Sequence, residues 1–137
     1  MENCIFCKII KDEIPSAKVY EDKDILAFLD ITPVNFGHTL VIPKEHYKNI
    51  HDTPDEMLSK LFPVVKKIAD AVKNAMNVEG INIGMNNGEV AGQVVSHFHI
   101  HIMPRSLNDG HKLWHGKKYE GDEQMKDTAE KIKSAFK

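Results

Sequence analysis

The sequence predicts an α+β fold, in which a mainly antiparallel sheet carries one long inserted helix. Five short stretches have the apolar content of strands, and short loops join most of them. Such connections favour antiparallel pairing, because parallel neighbours need longer crossovers. One longer segment repeats its apolar residues at helical spacing instead. With 137 residues the chain is expected to be one domain with a core of its own.

The strands are predicted in chain order from their apolar residues and their boundaries. Residues 18–20 and 25–30 flank a polar turn, which indicates a pair of neighbouring strands. A third strand covers residues 38–42 and should stop at Pro43, because proline cannot continue a central strand. Residues 81–86 alternate polar and apolar side chains and predict the fourth strand.

The long helix is predicted between the third and fourth strands. Thr53, Pro54 and Glu56 provide an N-cap, a proline at the first helical position and a capping glutamate. The apolar stripe that follows consists of Met57, Leu58, Leu61, Val64, Val65, Ile68 and Val72. Pro63 lies inside this stripe and should kink or split the helix. Gly80 is expected to end it.

The fifth strand is predicted from His97 to Met103, where three histidines alternate with bulky apolar residues. Phe98, Ile100 and Ile102 should face the core, and the three imidazoles should share the other face. Neighbours on one face of a strand stand roughly 6.6 Å apart and the outer pair roughly 13 Å. Three histidines on a straight strand therefore cannot all bind one metal. Either the three histidines have different functions, or two of them bind a metal ion together.

Composition and cysteine usage narrow the function classes. The net charge of -2 gives no reason to expect a nucleic-acid or membrane surface. No apolar run is long enough for a bilayer, and the N-terminus lacks a secretory signal, so we expect a cytoplasmic protein. The only two cysteines are Cys4 and Cys7. In a reducing compartment this spacing indicates a metal or redox site more than a structural disulfide.

A glycine-containing segment, residues 86–96, precedes the histidines. Gly88 and Gly92 permit tight turns that leave backbone N–H groups free to meet an anion. The segment is not a P-loop, because no Gly-Lys-Ser/Thr follows. Alone it would be read as a plain strand connection, but the histidine row beside it favours a phosphate site.

Residues 92–103 read Gly-Gln-x-Val-x-His-Phe-His-Ile-His-Ile-Met. This run resembles the signature of the histidine triad (HIT) family of nucleotide hydrolases and transferases. Residues 7–15, 27–33 and 37–46 resemble the same family in order and spacing. The resemblance is closest to zinc-containing bacterial members.

The family resemblance also implies an architecture. It covers residues 4–105 and leaves residues 106–137 as a tail of one domain, residues 1–137. The implied HIT-like fold has a five-stranded sheet, one long helix and shorter N- and C-terminal helices. Within the tail, residues 106–121 look irregular and residues 122–136 predict an amphipathic helix. Relatives are homodimers that join two such sheets, so we expect a homodimer.

The resemblance implies hydrolysis of nucleoside phosphoramidates or dinucleoside polyphosphates, with purine nucleotides preferred. Members of the family work through a covalent nucleotidyl-histidine, and His99 matches the nucleophile. A neutral imidazole suits this task, because its phosphoramidate is labile enough for water to resolve. His101 matches a residue that contacts the phosphate and could assist the leaving group.

A nucleotide pocket follows from the same resemblance. Asp30 matches the carboxylate that accepts hydrogen bonds from the ribose hydroxyls. The remaining matched positions are Phe6, Phe28 and Ile31 for an apolar base pocket, Asn86 for a polar pocket residue, and Gly92 and Gln93 for the phosphate. Ordinary core packing stays open for the three apolar residues, and a turn role stays open for Asp30.

The resemblance also implies a structural zinc ion. Cys4 and Cys7 have the pair spacing of a structural site, and two further ligands would complete a tetrahedron. His46 and His97 match the positions that supply those ligands in zinc-containing relatives. That leaves the other two histidines of the triad for catalysis. A pair of free thiols is the alternative.

Three other functions stay open. Many relatives carry a serine where this chain has Val94, which cannot donate to phosphate; backbone N–H groups or Ser96 would have to compensate. Because this serine hydroxyl is missing, the protein could instead be a nucleotide-binding module with little turnover. A catalytic zinc hydrolase using His97 and His99 is also possible. A redox role for the cysteines is weakest.

Residues outside these motifs are expected to be structural or solvated. They are His38, His51, His111 and His115. Trp114 could reach a substrate leaving group, although a packed or dimer-capping tryptophan is favoured.

Overall fold

Five strands form one antiparallel sheet in the computed structural model, which describes residues 3–137. The strands are β1 (Lys18–Glu21), β2 (Ile25–Leu29), β3 (Thr39–Pro43), β4 (Gly80–Gly84) and β5 (Ile100–Arg105). The helices are α1 (Ile5–Ile10), α2 (Asp55–Met76) and α3 (Asp122–Ala135), with short 3-10 helices at Ile50–Asp52 and Glu89–Ala91. Across the sheet the order is β1-β2-β3-β5-β4, with every pair antiparallel. The predicted α+β class is confirmed.

The centre of the sheet is covered on both faces. Ile25 and Ala27 of β2 join the core under α2, whereas Leu26 and Phe28 join the core under α1. A strand buried on both faces needs a continuous apolar run, and the sequence Ile-Leu-Ala-Phe-Leu is one. None of the helices within residues 3–137 combines the length and apolar character that crossing a membrane requires.

The start and end of α2 differ from the prediction. Thr53 is not the N-cap: its Oγ1 donates to a carbonyl four residues earlier, and Pro54 stands at the cap position with no side-chain hydrogen bond. At the other end α2 stops at Met76, where Asn77 adopts the left-handed conformation with φ 53°. Gly80 therefore begins β4 instead of ending the helix.

Pro63 lies inside α2 and does not split it. Proline removes one hydrogen bond from the helix, but the buried stripe continues on both sides of it, with Leu61 and Val65 at 0% and 2% exposure. Packing against the sheet therefore outweighs the local helix-breaking tendency.

The histidine strand begins later than predicted. β5 starts at Ile100, and His97 and His99 lie in the irregular segment that leads into it. The apolar half of the pattern is confirmed, because Phe98, Ile100 and Ile102 are 1% exposed or less in the core under α2. The other strands differ from prediction by one or two residues at their ends, as is usual for boundaries.

We predict that Leu61→Ala destabilises the protein by about 2–5 kcal/mol, because it leaves a cavity in the α2 core. Urea unfolding measures the loss. Ser59→Ala on the exposed side of α2 is the matched control and should change stability by less than about 0.5 kcal/mol. Equal effects of the two substitutions would contradict the packing described for α2.

Candidate active site

The candidate site lies on the α1 face of the sheet, where the chain enters β5. His101 pairs with Leu40 of β3, a member of the core under α1. Phe6 of α1 stands edge-on to the His99 ring, with centroids 5.1 Å apart. The rings of His99 and His101 are 5.0 Å apart. The structure thus brings together the two residues predicted to be catalytic.

The ring of His99 is held in one tautomer. Its Nδ1 lies 2.7 Å from the carbonyl oxygen of His97. A carbonyl only accepts, so Nδ1 donates the ring proton and Nε2 keeps a lone pair. Among residues 3–137, Ser16 Oγ is the one buried side-chain polar atom without a partner. Nε2 of His99, which makes no hydrogen bond to the described residues, is therefore open to solvent.

The ring of His99 is also kept neutral. Its side chain is 7% exposed. This burial lowers the pKa of His99, against the opposing effects of the His97 carbonyl and the Asp30 carboxylate. Since the ordinary histidine pKa is already below 7, the lone pair on Nε2 is present at neutral pH.

A second pair of rings sets the tautomer of His101. The amide of Val34 donates to Nδ1 of His38 at 3.1 Å, so a neutral His38 carries its proton on Nε2. That Nε2 is 2.9 Å from Nδ1 of His101, which must accept. The proton of His101 therefore sits on Nε2. Burial, aided by His99 and His38, lowers the pKa of His101 to about 4, and burial also lowers the pKa of His38.

The four predicted metal ligands meet at the start of α1. They are Cys4, Cys7, His46 and His97, with donor atoms all within 4.8 Å of one another. The sulfur-to-Nδ1 separations are 3.3, 3.4 and 3.6 Å, and the two Nδ1 atoms are 3.1 Å apart. A tetrahedral site with ligand bonds of about 2.0–2.3 Å has edges of about 3.3–3.8 Å. The cluster could hold a metal ion with little movement.

The protonation pattern of the cluster also fits a cation. Nε2 of His97 donates to the carbonyl of Pro43 at 2.8 Å, so its Nδ1 presents a lone pair to the cluster. Burial and a hydrogen bond with Cys4 raise the pKa of the Cys7 thiol. A thiolate at this position therefore needs a neighbouring positive charge, which a bound metal supplies.

A second group of potential ligands, Asp30, His38 and His101, has the same 4.8 Å spacing. It does not suit a metal, because Nδ1 of His38 already accepts from the Val34 amide. Coordination through Nε2 would require the ring to lose its last proton. The group is better described as a hydrogen-bonded pair of histidines beside a carboxylate, with Oδ2 of Asp30 3.7 Å from Nε2 of His38.

The predicted nucleoside residues are divided between core and surface. Phe6 and Phe28 pack edge to face at 5.4 Å in the core under α1. Oδ1 of Asp30 accepts from the amide and hydroxyl of Thr32, which satisfies the turn reading and leaves Oδ2 towards His38. Ile31 is 92% exposed.

The Gln93 side chain is hydrogen-bonded within the chain. Its amide nitrogen donates to the carbonyls of Lys48 and Val95 at 2.6 and 3.0 Å, and its oxygen accepts from the amide of Gly88 at 2.9 Å. Both of its N–H groups are thereby used. In this conformation the side chain shapes the glycine loop, and the predicted position of Gln93 facing a phosphate stays a prediction.

The rest of the glycine loop stays near the surface. Gly92 has φ 101°, which favours glycine, and its carbonyl accepts from the Asn86 side chain at 3.4 Å. A Cβ at position 92 would come within 3.3 Å of Asn86 Nδ2. The Val94 side chain has no hydrogen-bond donor, and because the residue is 92% exposed it does not pack in the core either. Ser96 is also exposed.

A cavity of about 540 Å³ opens beside His101, between β4, β5 and the tail. Its lining includes His38, Met85, Met103, Leu113 and Trp114. Trp114 is 94% exposed and does not pack within the described chain, and a dimer-capping role stays a prediction.

Asp109 holds the tail in this position. Its carboxylate accepts from Nε of Arg105 at 2.7 Å, from the Asn35 side chain at 2.9 Å, and from the amides of Ser106 and His111. The Arg105 guanidinium, with these other donors, holds the pKa of Asp109 well below its usual range.

Two groups near the site were missed by sequence reasoning. His38 was expected to be structural or solvated, yet it is 4% exposed and bonds His101. Its position at the start of the third predicted strand could have indicated that it lies in the sheet beside the histidine strand. Asp109 carried no signal, because its partners are up to 74 residues away in the sequence.

Comparisons with known proteins agree with this geometry. A HIT domain family model matches residues 11–108. The chain is 57% identical over 104 residues to Protein hit of Bacillus subtilis, covering 76% of this chain and 72% of that protein. It is 48% identical over 107 residues to an adenosine 5'-monophosphoramidase of Candida albicans, covering 75% and 70%. An adenylylsulfatase of Arabidopsis thaliana is 43% identical over 107 residues, covering 78% and 54%.

Solved structures share the whole fold. A HIT family protein from Bacillus anthracis superposes with a TM-score of 0.90 and 46% identity over 99% of both chains. A zinc-bound histidine triad family protein from Mycobacterium smegmatis superposes with a TM-score of 0.76 and 35% identity, over 98% of this chain and 99% of that one.

The five-stranded sheet and the histidines gathered where β5 begins define the class, a histidine triad protein. Since the family model and the relatives cover most of its length, the chain belongs to the HIT family.

We predict that His101 makes stability fall as the pH is lowered from about 6.5 to 4. Between these pH values His101 binds a proton in the unfolded chain, where its pKa is near 6.5, but not in the folded protein, where its pKa is about 4. Since the unfolded state binds more protons, the free energy of unfolding rises with pH. The His101 contribution amounts to at most about 3 kcal/mol. Urea unfolding at several pH values should show a shallower slope for His101→Gln, whereas exposed His51→Gln keeps the wild-type slope. Equal slopes in all three would contradict the lowered pKa.

Proposed function

We propose that the protein is a nucleotide hydrolase that cleaves an adenosine 5'-monophosphate derivative at the α-phosphorus through a nucleotidyl group on His99. The candidate substrates are nucleoside phosphoramidates and dinucleoside polyphosphates. The observation that carries the proposal is the Nε2 lone pair of His99, neutral, fixed in direction and open to solvent. The relatives named as a monophosphoramidase and an adenylylsulfatase support it.

The chemistry takes two steps at one ring nitrogen. Nε2 of His99 forms a bond to phosphorus while the bond from phosphorus to the leaving group breaks. The ring then carries a positive charge, which the His97 carbonyl stabilises through Nδ1–H. Water attacks the same phosphorus in the second step, the nitrogen–phosphorus bond breaks, and the nucleoside monophosphate leaves.

His101 provides a donor beside the nucleophile. Its tautomer places the N–H on Nε2, and its ring is 5.0 Å from that of His99. This N–H can stabilise charge on a phosphate oxygen, and a departing amine can take its proton from water. His38 holds His101 in this tautomer through its bond to Nδ1, and Oδ2 of Asp30 lies 3.7 Å from the same Nε2 of His38. We therefore add His38 to the residues that support the reaction.

The nucleoside is proposed to bind on the α1 side of His99. Asp30 Oδ2 accepts from the ribose, and the base lies against Phe6, Phe28 and Ile31. Core packing does not exclude this role for the two phenylalanines, because Phe6 already borders the His99 ring.

On the other side of His99, Asn86 and the Gly92 backbone are proposed to face the phosphate. Gln93 is proposed to act only by ordering this loop. The cavity beside His101 would then take the leaving group, between Met103 and Trp114.

We infer that the cluster of Cys4, Cys7, His46 and His97 holds a structural zinc ion. Two thiolates and two imidazoles are a donor set that zinc prefers, with tetrahedral spacing. When bound, zinc fixes the N-terminal segment and the His97 ring without contacting the substrate. The zinc-bound relative from Mycobacterium smegmatis supports the inference.

A nucleotide-binding module with little turnover is the second candidate. Val94 favours it, because this exposed position offers no hydroxyl to a phosphate oxygen. The two candidates share the nucleoside pocket and differ in whether His99 reacts.

We predict that His99→Gly lowers turnover of an adenosine phosphoramidate by at least about 1000-fold, because the nucleophile is removed. Calorimetry should still detect binding of adenosine 5'-monophosphate, since the pocket remains. Wild-type enzyme quenched in alkaline denaturant, in which a phosphorus–nitrogen bond survives, should contain a covalent nucleotide by mass spectrometry, and the variant none. His115→Gly is the matched control and should retain activity. An active enzyme that never yields the adduct would refute the covalent route, and a wild type without turnover would favour the binding module.

We predict that Cys7→Ala lowers both zinc content and stability. Wild type should contain one zinc ion per chain by elemental mass spectrometry, and zinc at about 1000 times its dissociation constant contributes about 4 kcal/mol. Thermal unfolding with and without a strong chelator measures this contribution, and Cys7→Ala should be insensitive to the chelator. Metal-free protein that remains folded should still turn over substrate. Immediate loss of turnover without unfolding would favour a catalytic metal.

A further inference from the structure

Helix α3 is well formed although its own chain does not cover it. It has 14 residues, none of them buried, and only Thr128 is partly shielded. Isolated helices of this length are marginal in water. The exposed ion pair between Glu130 and Lys133 adds only a few tenths of a kcal/mol. Another surface is therefore needed to stabilise α3.

One face of α3 is apolar. Met125, Ala129, Ile132 and Phe136 recur at intervals of four, three and four residues, which places them on one stripe. Met125, Ile132 and Phe136 are 47%, 59% and 81% exposed. Ser134 lies on the opposite face, half a turn from the stripe. The stripe thus forms an exposed apolar ridge of the kind that packs against another helix.

An apolar groove of about 520 Å³ lies between the second half of α2 and the strands β1 and β2. Its lining includes Val19, Leu29, Phe36, Ala71, Ala75 and Met76. Phe36 is 83% exposed. Ala71 and Ala75 are one turn apart on α2, and their small side chains permit another helix to approach to about 8–10 Å. The groove thus has the shape that a helical ridge such as α3 requires.

The N-terminal half of α3 has a charge opposite to that beside the groove, whereas the residues after Glu130 carry Lys131, Lys133 and Lys137. Residues 66–73 of α2 contain three lysines and one aspartate, and Lys67 lines the groove. Residues 120–130 contain five acidic residues and one lysine. Opposite charges of this kind favour association of α3 with α2 and set its direction.

The groove of the same chain is not filled by its own α3. Residues 111–119 form neither helix nor strand and are exposed, and no residue of α3 is buried or lines the groove. A ridge and a complementary groove on one chain permit two copies to exchange them reciprocally about a two-fold axis. Each dimer then contains two such contacts.

We propose that α3 of one copy docks, by the stripe of Met125, Ile132 and Phe136, into the α2–β1–β2 groove of a second copy. The tail is thus an exchanged arm. This contact differs from a joining of sheet edges, and it does not depend on the chemistry of the active site.

Photo-crosslinking between isotopically distinct chains tests the proposal. The photoreactive residue benzoyl-phenylalanine replaces Ile132. Unlabelled and 15N-labelled chains are then refolded together with zinc and irradiated. We expect cross-links to residues 67–76 that join labelled to unlabelled chains. The yield should be at least tenfold higher than from a probe at position 134. Ala75→Arg should lower it by the same factor, since it fills the groove.

A reciprocal probe at Phe36 covers the case in which a change at position 132 disturbs α3. It should cross-link to α3 of the other chain. Cross-links confined to one chain would show that α3 occupies its own groove and would overturn the proposal. Cross-links from both probes to other surfaces, or none from either, would overturn it as well.

Discussion

The hydrogen bond from Nδ1 of His99 to the carbonyl of His97 is the contact on which the site depends. His97 takes part in three interactions at once: its Nε2 donates to Pro43, its Nδ1 faces the cysteine cluster, and its carbonyl directs His99. With 0% exposure it has little freedom to move. His97 therefore links the cluster of Cys4, Cys7 and His46 to the ring of His99. A change in the cluster reaches His99 through a single backbone carbonyl.

Burial and directional backbone groups act together on the histidines. Burial lowers the pKa of His99 and of His101, so each ring has one lone pair and one N–H at neutral pH. Backbone groups then decide which ring nitrogen carries the proton. The His97 carbonyl does so for His99, and the Val34 amide, acting through His38, does so for His101. The outcome is an acceptor on one ring beside a donor on the next. This arrangement suits substitution at phosphorus by rings that are themselves uncharged.

The two sides of the site are built differently. The side next to Phe6 and Phe28 belongs to the packed core and is rigid. The side next to His101 is completed by a tail segment that Asp109 and Arg105 hold through surface interactions. Loops tolerate sequence change more readily than packed cores, so the side completed by the tail is the one more open to change.

Sequence alone predicted the α+β class, the five strands and the residues of the metal cluster and the triad. It could do so because alternation, helical spacing and motif order are local properties of the chain. It placed the N-cap of α2 wrongly at Thr53 and gave Gln93 a phosphate contact. The first was decided locally, because the Thr53 hydroxyl donates to the Asn49 carbonyl four residues earlier, and the second by the tertiary structure, which brings the Lys48 carbonyl to the Gln93 amide. It also decided the role of His38, the hold of Asp109 on the tail and the exposure of α3. These depend on which distant groups come within 3 to 4 Å, and contacts of that kind exist only after the chain has folded.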